Sequence, residues 1–286
     1  MIAAFQKTPA GAHVKFTQSY GASGDQANSV VNGQSADVVE FSLETDMTKL
    51  VKKNLVAADW NANQYKGFVT DSVVSFVVRK GNPKGIKDWP DLIKPGVKVL
   101  TPNPFSSGSA RWNILGAYGA EIKAGKTDAE ALAYLTSLLK NVPVQDASGS
   151  KALADFVSGA GDVLISYENE AIYAQAKNQP VDYVIPNDTL LIENPIAVTT
   201  STKHPQEAKA FVDFLYSQAG QQIFADTGYR PVLAGVTPAK SPFPTPSGLF
   251  TIKDLGGWTA ATTKFFDPAT GAITAIEKSL GVATTK

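Results

Sequence analysis

Cysteine is absent from this 286-residue chain. That excludes disulfides, thiolate metal sites, a catalytic cysteine and, in the chain as given, a lipid-anchored cysteine. Histidine is scarce: His13 and His204 lie far apart in sequence, so a histidine-rich metal site is not expected. Neither sign of charge is in surplus, with 26 basic against 26 acidic residues, so no basic field points to nucleic acid. No apolar run reaches the ~18 residues that a membrane-spanning helix needs. The opening "MIAAFQKTPAG" lacks a basic segment followed by a long apolar stretch and does not read as a signal peptide. A leader removed before this numbering begins is compatible with it.

What is present is a globular composition, 43% apolar, in which strand and helix patterns alternate. That alternation predicts an α/β fold with mostly parallel sheets. "AHVKFTQSYG" (12–21) reads as a strand ended by glycine, "GDQANSVVNGQ" (24–34) as a short helix and "ADVVEFS" (36–42) as the next strand. "DSVVSFVVRKGNP" (71–83) is the strongest β run, and "VKVLTPNP" (97–104) a further buried strand. A helix is predicted over about 109–123, others at about 205–217 and 218–226, and a Pro-rich passage, "SPFPTPSG" (241–248), precedes the tail.

Three strand ends run into the same kind of turn: "SYGASGDQ" (19–26), "TPNPFSSGSARW" (101–112) and "QDASGSKA" (145–152). Each is rich in Ser and Gly and each opens a helix. A helix start carries N–H groups without intrahelical partners and a partial positive charge, which together suit an anion. In open α/β sheets ligands collect beyond the carboxyl ends of the strands, where these turns fall. A fully ionised tetraoxyanion offers acceptors only, so a selective site needs donors only. Bare burial of such an ion is costly, and amide and hydroxyl donors must replace its water shell nearly one for one. The same turns carry no Ser-His-Asp set, no phosphate-binding Gly-Lys loop and no metal-ligand cluster, so they bind without reacting. An enzyme is therefore not expected, and no cofactor is implied.

The chain resembles the sulfate-binding proteins of ABC importers, soluble receptors of the type II periplasmic-binding-protein fold. The resemblance runs from about residue 14 to the end. It rests on "YGASGDQANSVVNG" (20–33), "VVRKGNPKGIKDWPDLIKPGVKVLTPNP" (77–104), "SSGSARWN" (106–113), "GDVLISYENEA" (161–171), "ENPIAV" (193–198), "GYRPV" (228–232) and "LFTIKDLGGW" (249–258). It implies two lobes joined by a hinge, with the anion held between them by N–H and hydroxyl donors. The family's donor in the Gly-x-Ser-Gly turn falls on Ser23, beside Gly24. Its Ser-Gly-Gly donors fall on Ser107, Gly108 and Ser109, and its main-chain donor after the third strand on Gly149, flanked by Ser148 and Ser150. The family's donating tryptophan falls on Tyr167, and Arg111 is implied to brace loop carbonyls from behind.

Three departures stand out. Tyr167 replaces an obligate donor by a hydroxyl that donates or accepts. Asp25 stands where many relatives have a basic residue, and in the first turn of a helix it favours the dipole. The family's first β-strand would lie before Met1, which falls inside the first helix.

The resemblance implies lobe one from 1–79 and 197–240, lobe two from 80–196, a tail at 241–286 packing across both, and hinge strands near 77–79 and 195–198. It further implies a monomeric receptor, periplasmic or at the cell surface, that captures sulfate and delivers it to the membrane permease of an ABC importer, with no nucleic-acid partner. Molybdate, tungstate and thiosulfate are alternative ligands. A metal or cation receptor would have only Tyr20, Tyr167 and Asp25 to use. Among the remaining candidates, Trp112 reads as core. Glu168, Asn169 and Glu170 read as the opening of a helix rather than an acid–base set. Asp46, Lys49, Lys52 and Lys53 read as a solvated helix face.

Overall fold

The computed structural model describes residues 1–240 and 242–284. From the N-terminus the elements are α1 (Ile2–Phe5), α2 (Ser23–Val31), β1 (Val38–Glu40), α3 (Glu44–Val51), β2 (Phe68–Arg79) and β3 (Val99–Leu100). There follow α4 (Gly108–Lys123), α5 (Asp128–Lys140), α6 (Gly149–Val157), β4 (Val163–Tyr167), α7 (Glu168–Ala176), β5 (Val181–Val184) and β6 (Asp188–Val198). The chain closes with α8 (Pro205–Tyr216), α9 (Gln218–Asp226), β7 (Arg230–Pro231), β8 (Gly248–Phe250), α10 (Gly257–Ala261) and α11 (Ala272–Ser279).

Two compact units divide it: Met1–Ser72 with Glu193–Phe243, and Val73–Ile192 with Pro244–Lys286. The chain changes unit in the middle of β2 and of β6, a few residues before the 79/80 and 196/197 boundaries that the resemblance implied. Burial is nearly continuous through both strands, so no local pattern marks the change. The expected 240/241 boundary touches Ser241, which lies outside the described residues, as do the last two positions of the tail.

In unit one, β1 runs antiparallel to the far half of β6, with Val38 opposite Val198 and Glu40 opposite Ile196. The start of β2 pairs with β7. Helices α2 and α3 bury one face each on this layer, around Ala27, Val30, Phe41, Met47 and Leu50. Residues 12–21, expected as a strand, pair with no strand among the described residues. Their alternation is spent on packing instead: Phe16 meets Phe5 and Phe211 edge-on at 6.0 and 4.9 Å.

Unit two is built on the Val-rich half of β2, where Val73, Val74, Phe76, Val77 and Val78 are all buried, as in a central strand. It runs antiparallel to β4 on one side (Val74 opposite Tyr167) and β5 on the other (Val78 opposite Asp182). β3 with β4 and β6 with β8 pair in parallel, beside these antiparallel pairs. The expectation of mostly parallel sheets is therefore corrected to a mixed sheet. The reason is that β2 and β6 are the strands that carry the chain from unit to unit, and they run against the βα repeats they join.

Gly161 shows how closely the turns fit. It has φ +67°, and a Cβ there would lie 1.8 Å from Leu100, so only glycine serves. The tail, expected across both lobes, groups with unit two, where Trp258 meets Trp112 edge-on at 4.6 Å. Among the described residues no helix is long and apolar enough to cross a membrane.

Candidate functional site

Two of the Ser/Gly turns meet inside unit two. The backbone N–H of Asn103 donates to the Asp146 carbonyl at 2.8 Å, and the Ser106 hydroxyl donates to the Ala147 carbonyl at 2.9 Å. These bonds lace the turn before α4 to the turn before α6. Ser107 is the N-cap of α4, and its hydroxyl lies 2.8 Å from that of Ser109. A Cβ on Gly149, the first residue of α6, would stand only 2.8 Å from Ser109 Oγ. Two helix N-termini thus converge within one side chain's width. Each contributes first-turn N–H groups with no intrahelical partner and the positive end of a dipole. Ser107 and Ser109 spend one hydroxyl proton on each other, which leaves the second hydroxyl free to donate elsewhere.

The helices are held from behind. Arg79 of β2 donates to the carbonyls of Phe156 at 2.6 Å and of Gly161 at 2.8 Å, and its guanidinium lies 3.9 Å from the Phe156 ring centroid. A cation at the carbonyl end of α6 is favourable to the helix and fixes its axis. Within α4, Asn113 is buried and donates to Thr101 Oγ1 at 3.0 Å and to the Ile165 carbonyl at 2.8 Å. Arg111 Nε donates to the Pro104 carbonyl at 2.9 Å, and its guanidinium lies 4.8 Å from the Phe266 ring.

The other unit-two residues singled out by sequence take distinct places. Ser148 caps α6, accepting from the Lys151 N–H at 3.2 Å, so its hydroxyl serves the helix. Ser150 is exposed in the first turn of α6. Tyr167 is buried where β4 ends and α7 begins, acting as the N-cap residue by position. Glu168 and Asn169 behind it are buried, and burial pushes the Glu170 carboxyl above its ordinary range.

In unit one, Ser23 opens α2. Its hydroxyl donates to Asp46 Oδ2 at 2.9 Å and accepts from the Ser42 N–H at 3.0 Å. Gly24 follows it in the first turn, and Asp25, half-buried, is the acidic residue there. Asp46 is a correction to the solvated-face reading: it is only 6% exposed. Ser23 and the Lys49 ammonium, 3.3 Å away, compensate its charge. Lys52 and Lys53 are exposed as expected.

Sequence reasoning missed Asp146 and Asn103. Asp146 is buried, its carboxyl raised by burial and by Asp155, with Lys151 at 3.6 Å. Nothing in "QDASGS" distinguishes a buried Asp from a turn Asp. Asn103 had a signal: its Oδ1 accepts from the Phe105 N–H at 2.8 Å, an Asx turn that Asn-Pro invites. Among the described residues no cluster of His, Asp and Glu is placed to hold a metal ion.

A family model described as bacterial extracellular solute-binding protein matches residues 1–230. The chain belongs to that family. The sulfate-binding protein of Synechococcus elongatus is 44% identical to this solute-binding protein over 272 residues, which is 93% of this chain and 78% of the relative. That of Escherichia coli K12 is 40% identical over 281 residues, 93% and 84% of the two chains. Among solved structures, the sulfate-binding protein SubI from Mycobacterium tuberculosis H37Rv superposes with a TM-score of 0.89 at 45% identity, covering 93% of each chain. The mixed α/β architecture of this solute-binding protein is the type II periplasmic-binding-protein fold. The family binds and transports substrates and is not one of enzymes.

Proposed function

We propose that this solute-binding protein captures sulfate outside the cytoplasm and delivers it to the membrane permease of an ABC importer. The observation that carries the reading is the convergence of the N-termini of α4 and α6, with Ser109 Oγ where a Gly149 side chain would begin. Ser107, Gly108, Ser109, Gly149 and Tyr167 are the proposed donors of unit two. The first turn of α2, at Ser23 and Gly24, is the proposed donor set of unit one. The names of the relatives support sulfate as the ligand.

The chemistry fits an ion that carries no proton. Sulfate accepts on all four oxygens, and amide N–H groups and Ser hydroxyls meet it without a buried counter-ion. Each charge-assisted bond contributes about 1.5–3 kcal/mol. Five to seven of these, less desolvation and ordering costs, correspond to dissociation constants in the micromolar range or below, at about −8 kcal/mol. Arg111 acts on the Pro104 carbonyl in the turn before α4, and Arg79 on carbonyls at the far end of α6, so that one donor turn and the axis of the other helix are fixed before the ion arrives. The monomeric state belongs to the same proposal.

Isothermal titration at pH 7 tests it. Sulfate is expected to release heat with one ion per chain and to raise the unfolding temperature, with thiosulfate and molybdate competing more weakly. No heat and no thermal shift at millimolar sulfate would end the reading.

A further inference from the structure

The proposed anion turns of unit two are each tied to the C-terminal segment. Asn103 Nδ2, in the turn before α4, donates to the Ala283 carbonyl at 3.1 Å. Phe105 and Arg111 both face Phe266. The turn before α6 is tied through Gln145, whose Nε2 reaches both oxygens of Glu277 in α11 at 2.8 and 2.9 Å. Glu277 is fully buried. Burial pushes its carboxyl above the usual range, and the bond donated by Gln145 acts against that shift. Among the described residues Gln145 Oε1 is buried without a hydrogen-bond partner, so there the amide is held through its Nε2 contact with Glu277.

A buried carboxylate is costly and persists only where its partner is fixed. The N–H groups of Gly149 and its neighbours begin four residues after Gln145, and the backbone between is irregular. An amide gripped at Gln145 therefore sets where the turn starts. We propose that Glu277 is a positioning residue for anion binding: through Gln145 it presets the 145–150 turn, and the C-terminal segment acts as a brace on both donor turns of unit two. The inference rests on the reading that these turns hold an oxyanion. Charged groups on the elements around Glu277 are engaged elsewhere. Lys278 donates to the Pro268 carbonyl, Lys264 to Asp128 and Tyr118, and Asp146 faces Lys151.

Sulfate titration of the full chain tests it with Glu277→Leu, Glu277→Gln, Gln145→Leu and the double variant Glu277→Leu/Gln145→Leu. Leaving the Gln145 amide buried without its acceptor should weaken sulfate binding about ten- to a hundredfold. Glutamine at 277 keeps an acceptor for Gln145 Nε2 and should stay within about threefold of the wild type. The double variant should be no weaker than either single, because both remove the same link. Rescue by glutamine with a non-additive double variant supports positioning. Unchanged affinities, a Glu277→Gln as weak as Glu277→Leu, or losses that multiply would overturn it. A wild-type protein that binds no sulfate would instead sink the functional reading beneath it.

Discussion

The Ser23 turn of unit one and the Ser107–Gly149 turns of unit two look alike in sequence, yet their hydroxyls do different work. Ser23 Oγ is committed twice, to the Asp46 carboxylate and from the Ser42 N–H. It holds α2, α3 and the loop after β1 together, which leaves the backbone amides of that turn as its proposed donors. In unit two, among the described residues, the Ser107 and Ser109 hydroxyls bond to each other, beside a second helix start. A Ser/Gly turn at a helix start is thus two devices. One is a structural clasp with amide donors, the other a cluster in which hydroxyls themselves are available.

The comparison is broken most strongly at Gly149. Alanine there puts a methyl 2.8 Å from Ser109 Oγ, so the hydroxyl must rotate away from Ser107. Sulfate affinity should fall about ten- to a hundredfold, as a misplaced charge-assisted bond predicts, with little change in unfolding temperature. Titration calorimetry and a melt on the same sample read both.

A paired test sharpens it. Ser23→Ala should lower stability by about 1–3 kcal/mol, because Asp46 and the Ser42 N–H lose a buried partner, while sulfate affinity stays within about threefold. Ser109→Ala should do the reverse, weakening sulfate about tenfold with a stability change below about 0.5 kcal/mol. Denaturant unfolding alongside titration measures the contrast; equal effects at the two serines would erase the distinction.

The smallest effect concerns unit one alone. Asp71 is pushed up to about 7, first by burial and then by Glu193, with Arg230 opposing. A carboxyl raised on folding binds its proton more tightly in the native state. Its stabilising contribution is therefore complete below about pH 4 and is lost as pH rises through about 7. Asp71→Asn should flatten that part of the stability–pH curve and leave sulfate binding at pH 7 unchanged. Urea melts from pH 4 to 8 would show it.

Legibility followed locality. The helix over 109–123, the β run at 71–83 and the paired helices near 205–226 were readable because caps, periodicity and turn residues are short-range signals. The Ser/Gly turns were visible for the same reason. Asp46 was misread because a helix surface looks the same whether it faces water or another helix. The 12–21 segment was misread because alternation reports which side packs and is silent on whether a neighbouring strand exists. The grip of Glu277 on Gln145 spans 132 positions, and no local pattern announces it.

By itself, the sequence determined the chemistry on offer: no thiol, almost no imidazole, balanced charge and helix starts dressed with small donors. Local propensity and capping are enough for that, because they act within a few residues. Tertiary structure alone decided which donors converge, which serine is a clasp, and where the chain changes unit. Those depend on burial and on bonds between distant positions, which exist only once the chain has closed on itself.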